Sequence, residues 1–592
     1  MVEKTSISEI RKTVEQLCAF GQKVAGTEAE VQAADYLHDS LVSFGFSRVE
    51  KQPFDVHGWN PVSCIVEMKK PVEKEIEAAL FPYCKTENVE GPLAVISCEE
   101  NGSSSIGKGL IAFSEWGLDD YLSPRMTYFR AARLGYEGLI VAAQDEGDLL
   151  KVVVLASGGL LKIPVVCVTK EEGARLLDMM EEGEVIMSVR TDVEVSSGST
   201  SYNVVGILEG DGTSNHEIVV GAHYDSWFQG AADNCAPAAS VLELARIFNH
   251  QAKAGKPPKR TIRFIFYGAE ESGSNDFYFW LNGSKAYVRD NPETVARTAA
   301  VLSLDSTGYP APAKNYIYAT ADLFDYAKSI KVDLERVLPL LYLDPPSYGS
   351  DHWFFELAGA PTIYGVAFRS PLYHTQKDDP DHLDFEAVHF YAEFMKEALS
   401  FFAEAEILPI DVFLPLKRFE QIILRYSKMD GNSFDLGPLL AKMKALLKQE
   451  SAIRKILTIA QKTGSRELSS KVNHFLLNTA NKFNQTIGFA TRPLETYNSD
   501  YLYRFELIAD YIYLTNSIQN LRNIPIAAID LESVKRIEQQ ADNPYNWIYL
   551  HEPLAKLDEE HQRIRKDIED LLEQLSGMMD SISEDIGNLV QN

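Results

Sequence analysis

Residues 216–270 read HEIVVGAHYDSWFQGAADNCAPAASVLELARIFNHQAKAGKPPKRTIRFIFYGAE. The opening run HEIVVGAH is apolar almost throughout, as is typical of a buried strand. The run PAASVLELARIFNH repeats apolar residues at helical spacing, and RTIRFIFYGAE is a second strand pattern. The alternation continues with AAVLSLD at 299–305 and APTIYGVA at 360–367. Strand and helix patterns in this order predict an α/β layered fold.

The segments around this stretch predict three domains. Residues 1–71 carry two amphipathic helices and an extended segment, and together with residues 199–405 they are expected to form one discontinuous α/β domain. Residues 72–198 contain short apolar runs separated by turn residues, such as KGLIAFSE and IPVVCVTK, which indicate a β-rich insert. Strand signals fade after Leu408, so residues 406–592 are predicted to be a separate helical domain.

The charge balance restricts the partners of the protein. Its formal net charge of -28 disfavours nucleic acids and anionic membranes, because both require a basic surface that replaces counterions. The opening MVEKTSISEI lacks the basic start and apolar stretch of a secretion signal, and no apolar run approaches the ~20 residues of a membrane span. We therefore expect a cytoplasmic protein that binds neither nucleic acid nor membranes.

Acidic and histidine side chains follow three of the predicted strands, at the point where each strand ends. His223 follows EIVVGA, the pair Glu270 and Glu271 follows RFIFYGA, and Asp305 follows AVLSL. Open α/β sheets place their sites at this edge. Each residue alone could be a helix cap, a surface ion pair or an ordinary histidine. Two histidines and three carboxylates together suit two zinc ions, with one carboxylate bridging. The complete predicted set is His223, Asp233, Glu271, Asp305 and His374.

Two further acidic residues have roles suggested by their spacing. Asp225 follows His223 in a His-x-Asp pattern and is expected to hold the imidazole or to support the bridging carboxylate, with a turn-forming role as the alternative. Glu270 stands directly before Glu271, so that one of the pair can bind metal while the other stays free as a base, with complementarity to a helix dipole as the alternative.

The order of six short motifs carries a family resemblance. The motifs are GAHYDSW, GAADN, GAEESG, LDSTG, SDHWFF and YHTQKDD. They resemble the zinc aminopeptidase family that includes bacterial leucyl aminopeptidase and glutamate carboxypeptidase II. The resemblance implies a three-layer αβα catalytic domain with a mixed central sheet, formed by residues 1–71 and 199–405.

The same resemblance implies which residues bind each of the two metals. His223, Asp305 and the bridging Asp233 would hold one metal, while Glu271, His374 and Asp233 would hold the other. Glu270 falls on the general base of the family. The implied cofactors are two zinc ions per subunit, with cobalt or manganese as possible substitutes.

Other residues around the site also take their expected roles from the resemblance. Tyr373 is similar to a tyrosine that stabilises the oxyanion in the carboxypeptidase branch, although it could merely wall the pocket. Asp351 and His352 are expected to supply supporting hydrogen bonds. The family has a cis peptide after the bridging aspartate, which here is the Asp233–Asn234 bond.

The outer segments resemble accessory domains of the same family. Residues 72–198 are similar to a protease-associated domain, and the segment that begins at ILPIDVFLPL resembles the helical dimerisation domain of glutamate carboxypeptidase II and transferrin receptor. A homodimer is therefore expected, and docking within the chain is the alternative use of the apolar helix face. That face comprises Ile564, Ile568, Leu571, Leu572 and Leu575.

The sequence leaves open whether peptides are shortened from the N-terminus or from the C-terminus. An aminopeptidase acting on peptides is the leading hypothesis, and Phe279 and Trp280 are expected to line its specificity pocket unless they simply pack on a neighbouring helix. A carboxypeptidase acting on acidic C-terminal residues is the alternative, and it would use arginines of the insert, which could equally be surface charges. These arginines are Arg125, Arg130 and Arg133. A non-catalytic binding scaffold of the transferrin-receptor type is the third hypothesis.

Overall fold

A computed structural model describes residues 3–96, 106–117, 122–155, 159–273, 280–343, 349–428, 433–487 and 554–591. The strands in this part of the chain are β1 (Arg48–Lys70), β2 (Lys74–Ile76), β3 (Ala79–Leu80), β4 (Glu87–Val95), β5 (Ile111–Glu115), β6 (Gly138–Ala142), β7 (Val165–Val168), β8 (Ile186–Leu208), β9 (Glu217–His223), β10 (Thr261–Tyr267), β11 (Thr298–Asp305), β12 (Lys314–Ala319), β13 (Leu340–Leu343) and β14 (Thr362–Phe368).

The helices in the same ranges are α1 (Ile7–Ala19), α2 (Glu28–Phe44), α3 (Leu122–Leu134), α4 (Lys170–Glu182), α5 (Ala236–Lys253), α6 (Asn282–Asp290), α7 (Pro292–Ala296), α8 (Phe324–Ser329), α9 (His352–Leu357), α10 (Phe385–Glu404), α11 (Phe413–Tyr426), α12 (Gly437–Leu447), α13 (Glu450–Thr463), α14 (Arg466–Ile487) and α15 (Leu554–Gln591). None of these helices combines the length and the apolarity that crossing a membrane requires.

The strands that carry the predicted site lie side by side in a mixed sheet. Their order is β13-β12-β14-β11-β9-β10-β8. β9 is parallel to both β10 and β11, and β11 is parallel to β14. β12 and β8 run antiparallel to their neighbours β14 and β10. Because parallel strands end at the same edge of a sheet, the residues that follow β9, β10 and β11 meet there.

Helices cover both faces of this sheet. Ile218 and Val220 of β9 belong to a core formed with α1, α2, α5 and α10. Val219, between them, belongs to a second core that includes Tyr287 of α6 and Phe355 of α9. Successive residues of a strand point to opposite faces, so this alternation explains why residues 218–222 of β9 are all apolar or glycine. The predicted three-layer αβα fold is confirmed.

Helix α2 is tied to the loop that follows β10. It begins after Thr27, whose hydroxyl accepts from the main-chain N–H of Glu30, and it ends at Gly45, which has a positive φ of 82°. The buried Glu30 carboxylate accepts from the N–H of Ala269 at 3.0 Å and from the hydroxyl of Ser201 at 2.6 Å. The first turn of α2 thus supports the main chain immediately before Glu270.

Two long strands connect the catalytic sheet to the insert. β1 and β8 pair antiparallel along their lengths, and β4 pairs with the first residues of β8, at 186–191. β4, β5, β6 and β7 then form a parallel sheet with α3 and α4. This part has its own apolar core, which includes Trp59, Phe81 and Phe113. The division at residues 72 and 198 stays a prediction.

The C-terminal helices pack on the catalytic part of the chain. Ile568, Leu571 and Leu575 of α15 are buried in the same core as α5 and α10, and Leu572 is partly buried against it. The side chain of Ile564 lies outside the described residues. The described residues of the predicted apolar face therefore pack within the chain. Docking within the chain was the alternative to dimerisation. Homodimerisation stays a prediction.

Candidate metal centre

The predicted ligands and base come together at the carboxyl edge of the sheet. His223 and Asp305 are the last residues of β9 and β11, and the pair at 270–271 follows β10. Asp233 lies in the kinked turn Ala231–Cys235 before α5, where its own backbone is not helical (φ -120°, ψ 83°), and His374 lies on the loop after β14. Ligand atoms of His223, Glu270 and Asp305 lie within 4.8 Å of one another, as do those of Asp233, Glu271 and His374.

The carboxylate of Asp233 lies between the two histidines. Its Oδ1 is 3.4 Å from Nε2 of His223, and its Oδ2 is 3.3 Å from Nε2 of His374. Asp233 is 4% exposed, and the Asp233–Asn234 peptide bond is cis, as expected. One buried carboxylate that faces two imidazoles with separate oxygens has the arrangement expected of a bridging ligand.

Main-chain carbonyls orient both imidazoles. Nδ1 of His223 lies 3.1 Å from the carbonyl oxygen of Asp225, and Nδ1 of His374 lies 3.2 Å from that of Val152. A carbonyl oxygen only accepts, so each Nδ1 carries the hydrogen. In the neutral rings Nε2 then keeps its lone pair and faces the carboxylates, which is the orientation that a metal-binding histidine needs.

Asp225 holds the pair of glutamates by their main chain. Its Oδ1 accepts from the N–H of Glu270 and its Oδ2 accepts from the N–H of Glu271, both at 3.0 Å. Oδ1 also lies 3.4 Å from Nδ1 of His223. The fully buried Asp225 therefore contacts the end of β9 and the turn after β10 at once.

Burial and mutual charge shift the titration of the site. Burial raises the pKa of Glu270 well above 4.5 and also raises the pKa of Glu271. Burial lowers the pKa of His374, but the carboxylates of Glu271 and Asp233 outweigh it and raise that pKa to about 10. Burial also lowers the pKa of His223, but Glu270 and the neighbouring aspartates raise it well above 6.5, so the electrostatic potential at both imidazoles is negative.

The donor set fits divalent cations. The two clusters contain four carboxylates and two imidazoles, which are oxygen and nitrogen ligands that zinc accepts. Buried charges in proteins are paired or bind metals, and two divalent cations would balance four carboxylates. The same ligands also suit cobalt or manganese.

The remaining predicted polar residues are Tyr373, Asp351 and His352. Tyr373 stacks on His374 with ring centroids 3.8 Å apart, and His352 stacks on Tyr364 at 4.2 Å. Asp351 is 1% exposed, and burial raises its pKa to about 7. The charge of Asp351 contributes to the raised pKa of Glu270, which places the two carboxyls in one buried region. The roles predicted for these residues stay predictions.

The residues proposed for specificity are placed only in part. Phe279 lies outside the described residues. Trp280 is partly buried and packs with Leu281 and Trp353 at α9, which is the packing that the alternative interpretation expected. In the insert, the guanidinium of Arg125 donates to the carbonyl of Val154 at 3.1 Å.

Three contributors to the site were not identified from the sequence. Asp378 accepts from the N–H groups of Ala232 and Asp233, and the indole N–H of Trp227 donates to Oε2 of Glu271 at 2.9 Å. Both residues lie inside motifs already quoted, YHTQKDD and GAHYDSW, so a systematic search of those motifs for polar side chains would have included them. Val152 acts through its carbonyl, which every residue type carries, and its identity gives no signal.

The segment that carries these residues is similar to a known peptidase family. Residues 203–399 match Peptidase family M28. An aminopeptidase of Pseudomonas aeruginosa is 28% identical over 321 residues, which are 50% of this chain and 56% of that protein. The aminopeptidase YwaD of Bacillus subtilis is 26% identical over 395 residues, which are 63% of this chain and 80% of that protein.

A solved structure has the same fold. The zinc aminopeptidase BSAP of Bacillus subtilis superposes with a TM-score of 0.54 and 23% identity, over 68% of this chain and 95% of that chain. The sequence similarity confirms the predicted resemblance to aminopeptidases for the segment that matches them, and the solved structure adds the shared fold. The branch with glutamate carboxypeptidase II and the protease-associated identity of the insert stay predictions.

Proposed function

We propose that this protein is a two-zinc aminopeptidase that removes residues from the N-terminus of peptides. The observation that carries the proposal is the position of Asp233, whose two carboxylate oxygens face His223 and His374 separately. The similarity of residues 203–399 to aminopeptidases supports the same activity.

Two metal positions are proposed, and they share Asp233. His223 and Asp305 would hold the first ion, and Glu271 and His374 would hold the second. Ions bound there would lower the pKa of a water toward ~7 and polarise the peptide carbonyl.

Glu270 is the proposed general base and acid. Its Oε2 lies 4.0 Å from Nε2 of His223, while Asp225 fixes its main-chain N–H. The carboxylate accepts a proton from the attacking water and returns it to the leaving amine. The phenol of Tyr373, next to His374, is proposed to donate a hydrogen bond to the oxyanion that forms at the carbonyl carbon.

The wider organisation is part of the same proposal. Residues 72–198 would be a protease-associated insert, residues 406–592 a helical domain, and the protein a cytoplasmic homodimer. Peptides would be its partners, without nucleic acid or membrane.

A panel of end-blocked peptides tests the proposed direction. Zinc-loaded protein is incubated with one peptide in free, N-acetylated and C-amidated forms, and mass spectrometry reports which end shortens. We expect the free and amidated peptides to lose N-terminal residues and the acetylated peptide to resist. Shortening from the C-terminus would instead support the carboxypeptidase, and no cleavage would support the scaffold. Protein stripped with a chelator is the control and should be inactive.

A further inference from the structure

A segment of the insert reaches back to the loop that carries His374. Residues 147–152 run antiparallel to residues 374–377, with Lys151 paired to Thr375. We call these two segments the insert clamp. The N–H of Val152 donates to the carbonyl of His374 at 3.1 Å, and Nδ1 of His374 lies 3.2 Å from the carbonyl of Val152.

The side chain of Gln376 joins the two halves of the insert clamp. Its Oε1 accepts from the N–H of Leu150 and its Nε2 donates to the carbonyl of Asp148, both at 2.8 Å. Lys377 adds a bond to the carbonyl of Gly147 at 2.7 Å. The insert therefore fixes both the loop and the ring orientation of His374.

Glu271, the other non-bridging ligand of the second position, also depends on the insert. Its Oε2 accepts from the indole of Trp227, which belongs to the catalytic segment but is buried in the same apolar core as Tyr83 of the insert. The hydroxyl of Tyr83 accepts from the N–H of Gly273, two residues after Glu271, at 2.6 Å.

The first metal position is held differently. His223 and Asp305 end two strands of the central sheet. Among the described residues, Nδ1 of His223 bonds the carbonyl of Asp225, and Oδ1 of Asp305 accepts from the hydroxyl of Ser306. Both partners belong to the catalytic segment. The two positions thus differ in which part of the molecule orients their ligands.

We propose that the insert is a positioning element for the second metal position, formed by Glu271, His374 and Asp233. This inference rests on the proposed two-zinc function. Residues that orient metal ligands typically contribute a factor of about 10–100 in metal affinity. Loosening the insert clamp therefore weakens zinc binding at the second position, while His223, Asp305 and Asp233 keep the first ion.

Zinc titration of two variants, one in the insert clamp and one at Tyr83 of the insert, tests the inference. Gln376→Leu removes both hydrogen bonds of the amide, and Tyr83→Phe removes the acceptor for Gly273 without changing the ring. Apo protein is titrated in competition with a chromophoric chelator, which resolves the two binding steps. We expect each variant to weaken one step by about 10–100-fold and to leave the other unchanged. Excess zinc should then restore peptide cleavage.

Matched controls separate positioning from general loss of structure. Gln32→Leu changes an exposed glutamine of α2 that bonds Glu28, and it should alter neither step. Circular dichroism and thermal unfolding establish that each variant is folded. Anomalous scattering from crystals grown at limiting zinc should show density lost at Glu271 and His374 only.

Equal loss of zinc affinity in both binding steps would overturn the inference. Wild-type zinc affinity in both variants would overturn it as well. Wild-type protein that binds fewer than two zinc ions would overturn it together with the proposed function. Wild-type protein that binds two zinc ions but cleaves no peptide would refute the function alone, because the variants still decide whether the insert positions one ion.

Discussion

Asp378 is a single side chain that holds the main chain at Asp233, the proposed bridging ligand. Its Oδ1 accepts from the N–H of Ala232 at 2.7 Å, and its Oδ2 accepts from the N–H of Asp233 at 3.2 Å and from the hydroxyl of Tyr309 at 3.0 Å. The carboxylate is buried, so water cannot replace a lost bond.

Replacing this acid with its amide is expected to loosen Asp233. Asp378→Asn turns one acceptor into a donor that faces an N–H, and a buried donor left unpaired costs about 1–3 kcal/mol. We expect a lower unfolding temperature and weaker binding of both zinc ions, because Asp233 serves both positions. Tyr309→Phe removes one of the three bonds and should have a smaller effect. Wild-type zinc affinity in Asp378→Asn would contradict this role.

Asp322 makes stability depend on pH. It is 1% exposed, and burial raises its pKa to about 6, while the charge of Asp322 adds to the raised pKa of the buried Glu356 on α9. An unfolded aspartate ionises near pH ~3.9. Between pH ~4 and 6 the folded state therefore binds more protons than the unfolded state, and stability falls as the pH rises through this window.

The corresponding substitution should stabilise the protein only at neutral pH. Asp322→Asn removes a charge whose ionisation in the folded state costs on the order of 2–3 kcal/mol. We expect a higher unfolding temperature at pH 7.5 and no gain at pH 4, measured by differential scanning fluorimetry. Asp325→Asn, at an exposed site on α8, is the control and should show no such difference. An equal gain at both pH values would argue against titration of Asp322.

Among the secondary structure elements, α15 shows how the C-terminal helices are attached. Leu575 is fully buried in the core shared with α5 and α10. Leu575→Ala should lower the free energy of unfolding by about 2–5 kcal/mol, because it leaves a cavity in a packed core. Val590→Ala, at a half-exposed position of the same helix, should cost much less. Thermal unfolding and light scattering together report stability and mass.

The result for α15 separates packing within the chain from packing between copies. Since Leu575 is used inside the chain, the mass in solution should be the same for Leu575→Ala and wild type. A change of mass at unchanged unfolding temperature would instead place this face between subunits.

Apolar sequence patterns predicted those strands and helices whose composition depends mainly on burial. β9 and β10 were recognised because residues on both of their faces are buried, as in Ile218 and Val219 of β9. The ends of those strands then indicated where His223 and Glu270 would lie. Pairing between distant segments leaves no such pattern, and neither the ribbon of β1 with β8 nor the insert clamp could be read from the chain.

The candidate site lies between the apolar core of the central sheet and the apolar core of the insert. The central sheet supplies His223 and Asp305, and the insert orients His374 and packs around Trp227. Which side chains gather at this sheet edge was predictable, because acidic and histidine residues directly follow the strands that end there. Their orientation was not, because it depends on main-chain carbonyls such as that of Val152 and on contacts across more than 200 residues of sequence.

In the proposed function, Glu270 activates the water that cleaves the peptide. The most direct test compares wild type, Glu270→Gln and the exposed control Glu293→Gln, each loaded with zinc, by their kcat on a peptide with a free N-terminus. We predict that Glu270→Gln binds two zinc ions, as wild type does, and loses about 10²–10⁴-fold in kcat, while Glu293→Gln is unchanged. Wild-type kcat in Glu270→Gln would show that Glu270 is not the general base.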